Sequence, residues 1–147
     1  MTSAELGDPR QPTPVPVPDS GGFAVAIGQA VPVSEYRFPP RPAELTPIQG
    51  FWQSAVAPLR GSGAGVREAV LTWPEGPHSL LIEANTPGAY IVRVSGVEVA
   101  RHMTWDYTPH VLGGVDVPHV RPGQRVTVSV EVQRSTGDWA VHLTPDS

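Results

Sequence analysis

Two aromatic side chains two residues apart, Trp105 and Tyr107, are the residues here best suited to hold a ligand. On an extended strand, positions two apart share a face. The pair would then form a platform on which a sugar ring could stack, a surface glycan being the implied ligand. Asp106 would face the other way, and His110 with the loop Gly113-Gly114 would rim the site. The competing reading puts the same two rings on the core side of their strand. Five histidines, His78, His102, His110, His119 and His142, raise the question of a metal. Their spacings do not set two ligands on adjacent turns of a helix, and most fall in or beside turns. Three could converge at one end of a sandwich with Asp106 or Asp116 as a fourth ligand. Solvent-facing or strand-end histidines are the plainer reading, and no metal or other cofactor is expected.

Catalytic signatures are missing from the sequence. It has no cysteine, and no Gly-x-Ser-x-Gly elbow offers a serine nucleophile. Glu68, Glu75, Glu83, Glu98, Asp106, Asp116, Glu131 and Asp138 fall on wet strand faces or in turns, and nothing marks two of them as a glycosidase pair. The Gly-rich stretch 61–65 lacks the lysine of a phosphate loop and leads into a strand pattern, not a helix. The expectation is a protein that is not an enzyme.

The elements that would position these residues are strands. Val126, Val128, Val130 and Val132 alternate with polar residues between Arg125 and Gln133, and Trp139, Val141 and Leu143 alternate again after Ser135-Thr136-Gly137-Asp138. Period two marks one face for a core and one for water, and the short Gly-containing connection predicts an antiparallel hairpin. Upstream, strands are expected at 66–73, 79–84, 89–95, 97–101 and 103–107. A further edge strand, at 115–120, is interrupted by Pro118. The fold class is therefore all-β, an antiparallel β-sandwich with either immunoglobulin-like or jelly-roll connectivity.

Before the sandwich the chain changes character. Pro9, Pro12, Pro14, Pro16 and Pro18 hold the first twenty residues extended and remove backbone donors. A short strand is expected at Phe23–Ile27, and Tyr36 and Phe38 are isolated aromatic anchors in a second Pro-rich stretch. Thr46-Pro47-Ile48-Gln49 has the form of a helix start, with a Thr cap and Pro at the first helical position, so one short helix is expected. The domain plan is an extended arm over 1–45, a short helix and Gly-rich joint over 46–64, and the sandwich over 65–147. Pro14, Pro16, Phe23, Tyr36 and Phe38 are the candidate partner-binding residues of the arm.

Composition narrows the partners. A chain of 147 residues with 39% hydrophobic and 16% charged residues fits one globular domain plus an arm. Net charge is −4, and all ten basic residues are arginines scattered from Arg10 to Arg134, so nucleic acid is not an expected partner. No basic-then-apolar leader opens the sequence and no apolar run reaches membrane-spanning length, so neither a signal peptide nor a membrane partner is expected. The lean toward Ala, Val, Gly, Pro and Arg, with Asn85 the single asparagine, suggests a GC-rich genome.

From Val66 to Thr144, and most of all in RPGQRVTVSVEV and GDWAVHL, the pattern resembles small immunoglobulin-like or carbohydrate-binding-like sandwich modules. Such modules occur on tailed bacteriophages as capsid decoration or tail-associated proteins, some with a Pro-rich arm laid across the shell. The resemblance implies a structural protein on a virion surface, or otherwise a soluble cytoplasmic one. Its partners would be protein subunits, copies of itself included.

Overall fold

The computed structural model describes residues 5–6, 15–16, 32–50 and 53–146. It divides into two compact units, Met1–Tyr36 and Arg37–Ser147. In the first, β1 (Glu5–Leu6) pairs antiparallel with β2 (Val15–Pro16), and a 3-10 turn spans Val33–Glu35, where the Glu35 N–H donates to the Pro32 carbonyl at 2.9 Å. The strand expected at Phe23–Ile27 lies outside the described residues.

The second unit is an all-β sandwich. Its strands are β3 (Leu59–Ser62), β4 (Gly65–Thr72), β5 (His78–Ala84), β6 (Gly88–Val94), β7 (Val97–Thr104), β8 (His110–Asp116), β9 (Arg125–Gln133) and β10 (Asp138–Pro145). Sheet I has the order β3-β10-β5-β8 and sheet II the order β4-β9-β6-β7. First pairs with last and inward in turn: β3 with β10, β4 with β9, β5 with β8, β6 with β7, all antiparallel. The chain is thus one long two-stranded ribbon, with its tip at Ser95-Gly96, rolled up into two sheets. That is the jelly-roll, and it decides between the two connectivities left open by the sequence.

The period-two pattern is cleanest in β9. Val126, Val128, Val130 and Val132 of β9 and Tyr90, Val92 and Val94 of β6 meet Leu80, Ile82 and Ala84 of β5 and Trp139, Val141 and Leu143 of β10 in one core. On the outer face of sheet II, Arg93 bridges to Glu131 at 2.9 Å and Arg101 clasps Glu98 at 2.9 and 3.0 Å. The Arg101 bonds hold Glu98, and Gln133 followed by Arg93 holds Glu131, below the usual carboxylate range. Such exposed pairs contribute little to stability.

Three sequence expectations give way. The closing pair is not a hairpin: β9 belongs to sheet II and β10 to sheet I, so residues 134–137 cross between layers. The crossing is fixed by the β5–β6 connection. The Thr86 hydroxyl pairs with Ser135 Oγ at 2.8 Å and accepts the N–H groups of Thr136 and Gly137 at 3.3 and 3.2 Å. Asn85 Oδ1 accepts the Asp138 N–H at 2.9 Å. Gly137 sits so close that a Cβ there would stand 2.4 Å from both Asn85 Oδ1 and Thr86 Cγ2.

The short helix is the second. Residues 46–50 and 53–58 hold no helix; Gly50 takes a left-handed φ of 65°, and its N–H goes to the Glu83 carboxylate instead of to a helical carbonyl. The third concerns strand ends: β7 stops at Thr104, and β8, an edge of sheet I, stops at Asp116, before Pro118. The compact unit itself begins at Arg37, and β3 lies within the stretch expected as a Gly-rich joint.

Replacing Thr86 by Val removes the acceptor of two N–H groups at a fully buried position. Unfolding free energy should fall by about 2 kcal/mol or more. Thr104→Val removes only one of two donors on the Thr86 carbonyl, since Tyr90 Oη remains at 3.0 Å, and should cost about 1 kcal/mol. Urea denaturation midpoints at constant slope would give this order; the reverse order would show that the crossing is held elsewhere.

Candidate functional site

Residues 37–50 and 53–58 form a strap that reaches the outer face of sheet I at Gly50. Alternation sets Glu83 of β5 and Ala140 and His142 of β10 on that face, opposite the core side chains, yet all three are buried. The strap covers them. Arg41 donates to the Thr136 carbonyl at 2.8 Å, the Thr46 carbonyl accepts from Asn85 Nδ2 at 3.0 Å, and the Gly50 N–H meets both Glu83 oxygens at 3.2 Å. Further on, the Ala55 N–H donates to the Leu143 carbonyl at 2.7 Å before the chain turns back into β3. Beneath it, His142 Nε2 lies 3.0 Å from Glu83 Oε2, with both side chains at most 2% exposed. Nε2 donates and Glu83 accepts, which leaves His142 Nδ1 buried without a partner. A carboxylate in such a place is tolerated only where hydrogen bonds replace water.

At the loop end of the sandwich, residues 105–109 carry the chain from β7 to β8. Trp105 is 42% exposed, and its ring lies 6.5 Å from that of Phe38 at an interplanar angle of 55°. The Arg134 guanidinium stands 4.3 Å over the opposite partner of this pair, the Phe38 ring, a cation–π distance. Next to Trp105, Asp106 Oδ1 accepts from the Thr108 hydroxyl, from the Thr108 N–H at 2.9 Å and from His110 Nε2 at 2.8 Å. An Asp bonding the N–H two residues on makes an Asx turn. The Thr108 hydroxyl, then its N–H, then His110 hold the Asp106 carboxyl down at about 2.

The sequence-derived candidates therefore separate. Trp105 and Tyr107 lie in a turn and not on a strand, so strand alternation does not set their facing, and Gly113-Gly114 are inside β8 and not in a loop. Asp106 and His110, expected on different sides, are bonded to each other. Phe38 packs on Trp105, and Tyr36, half-buried, belongs to the first unit. Pro16 is in β2, while Pro14, Phe23 and the Phe51-Trp52 pair lie outside the described residues. The histidines disperse: His78 Nδ1 is 3.0 Å from the Gly76 carbonyl, His119 Nε2 is 3.3 Å from that of Val94, and His102 is half-buried on β7. Among the described residues no three His, Asp or Glu gather as a metal site.

Sequence reasoning missed Arg134 and the Glu83–His142 seam. Both seam residues sit at positions facing away from the core, and no local pattern tells that a remote segment covers them. The Asx turn had a legible signal in Asp106-x-Thr108. The sequence matches no protein-family model and no curated protein. No helix among the described residues is long and apolar enough to cross a membrane.

Because the folded Asp106 carboxyl lies below its ordinary value of about 3.9, its contribution is present above that value and is lost as pH falls through about 2. A carboxyl carbon NMR titration should place its midpoint near 2. Thr108→Val deletes the strongest of the three bonds and should move the midpoint upward; an unmoved midpoint would exclude the hydroxyl as the main cause. Glu83→Ala strands the Gly50 N–H and the His142 ring, and should destabilise the protein by about 3 kcal/mol. The same variant should speed tryptic cleavage after Arg37, and unchanged cleavage would show that the seam does not hold the strap.

Proposed function

We propose that this chain is a non-catalytic assembly protein, a jelly-roll body whose N-terminal arm docks on neighbouring subunits. The virion of a tailed phage with a GC-rich host is the setting that its resemblance favours, as a capsid decoration or tail-associated component. The observation that carries this reading is the strap. The body, which starts at Arg37, ties Thr46 to Asn85 and Gly50 to Glu83 of its own sandwich, while the Pro-rich 1–36 forms a separate unit. A Pro-rich segment joined to a body in this way suits wrapping over a partner: ordering it on contact costs entropy but engages a wide surface. Many copies on one shell add avidity, so each contact can be weak.

The surface of the body supports the same reading. Edge strand β4 shows Val66 at 59% and Val70 at 56% exposure on one face, and edge strand β7 shows Val97 at 51%. Exposed valines on strands that are sheet edges among the described residues suit contact with a neighbouring subunit, including another copy of this chain.

Lysine is absent, so cross-linking should use carboxylates; Asp8, Asp19 and Glu35 lie in the arm. Intact particles containing the chain should give links from these residues to other subunits, and the arm should resist trypsin after Arg10 in the particle but not in the free protein. A chain lacking residues 1–31 should fail to incorporate. Full incorporation of that truncated chain, or arm cleavage at equal rates in both states, would overturn the assembly role.

A further inference from the structure

We propose that the loop end of the sandwich is a binding site for a neutral pyranose, with Trp105 as the stacking surface and Asp106 as the hydroxyl acceptor. Every residue that the site uses belongs to the unit Arg37–Ser147.

Two features meet there that a bare structural role does not require. The first is the indole. Most large apolar side chains of this unit are buried, but Trp105 keeps 42% of its surface in solvent while Phe38, 6.5 Å away at 55°, fixes its attitude. The Arg134 guanidinium closes over Phe38 at 4.3 Å, so the ring supporting the indole is itself held. A pre-oriented aromatic face loses little entropy when a ligand lies on it.

The second feature is the asymmetry of the carboxylate. All three protein donors to Asp106 converge on Oδ1: the Thr108 hydroxyl, the Thr108 N–H at 2.9 Å and His110 Nε2 at 2.8 Å. Oδ2 receives none of these bonds, and the side chain is 51% exposed. Three bonds on one oxygen fix the group and leave the other oxygen of this half-exposed side chain outside them. The carboxyl stays ionised at neutral pH, so Oδ2 is a charge-assisted acceptor.

A pyranose has the matching chemistry. Its ring C–H groups make an apolar face for the indole, and its hydroxyls can donate to the carboxylate of the next residue in the chain. Ionised Asp106 disfavours acidic sugars by like-charge repulsion, which selects a neutral ring. One aromatic and one acceptor make a small site, so a single ring should bind at about millimolar Kd, and useful strength would come from many copies. Tyr107 is half-buried in the same loop, and the site does not depend on it.

The test is titration of the full chain with methyl β-glucopyranoside, methyl β-galactopyranoside and methyl α-mannopyranoside, with glucuronic acid as control. The readout is the Trp105 indole N–H in proton–nitrogen spectra, taken to about 100 mM sugar, well past a millimolar Kd. At least one neutral sugar should move that resonance saturably, and glucuronic acid should not. Asp106→Asn should weaken binding about tenfold, the loss of one charge-assisted acceptor. Trp105→Phe keeps a ring against Phe38, guards against misfolding and should still weaken binding. Silence of the indole with all three neutral sugars would overturn the proposal. So would equal binding of glucuronic acid, or unchanged affinity in both variants.

Discussion

Every time this chain passes from one sheet to the other, it carries backbone N–H and C=O groups over the end of a dry core, and each must find a partner. In a rolled ribbon that happens at every connection except the tip between β6 and β7. The densest solution is at Asn85 and Thr86. Thr86 offers its hydroxyl to the 135–137 crossing and its carbonyl to Tyr90 and Thr104, while Asn85 reaches Asp138 and Thr46. Two adjacent residues thus tie together the β5–β6 and β9–β10 connections, the end of β7 and the strap. Gly137 is part of the same device, because only a residue without a Cβ lets the two connections approach so closely. The positions of the remaining loops at this end follow from that knot.

The strap follows a related logic on the side of sheet I. An ionisable pair on the outside of a sheet would ordinarily be solvated, and covering it removes water that the carboxylate needs. Glu83 is compensated by His142 Nε2 and by the Gly50 N–H, so the strap supplies the bond that its own presence makes necessary. This couples the placement of the strap to one residue near the end of β5.

The loop end shows how a rigid scaffold presents local chemistry. Residues 105–109 are short, and an Asx turn on Asp106 with a cross-bond from His110 sets their shape. Phe38, contributed by the start of the strap, steadies Trp105 from outside the loop. Loops held by well-packed sheets are where binding groups concentrate, and this one joins an exposed aromatic to an oriented charge.

The sequence alone determined that this is an all-β sandwich, where most strands run, and which side chains of each face the core. Val126 to Val132 and Trp139 to Leu143 carry that information locally, because a strand's period of two needs no knowledge of its neighbours. Its error at Trp105 and Tyr107 came from extending a strand through residues whose turn chemistry was written in Asp106 and Thr108. Tertiary structure alone decided which strands pair, that β9 and β10 lie in different sheets, and that Glu83 and His142 are buried. The physical reason is range. Alternation and turn propensity act over a few residues, whereas pairing depends on contacts such as Thr86 with Gly137 and Gly50 with Glu83, far apart in sequence and satisfied only when the whole ribbon has rolled.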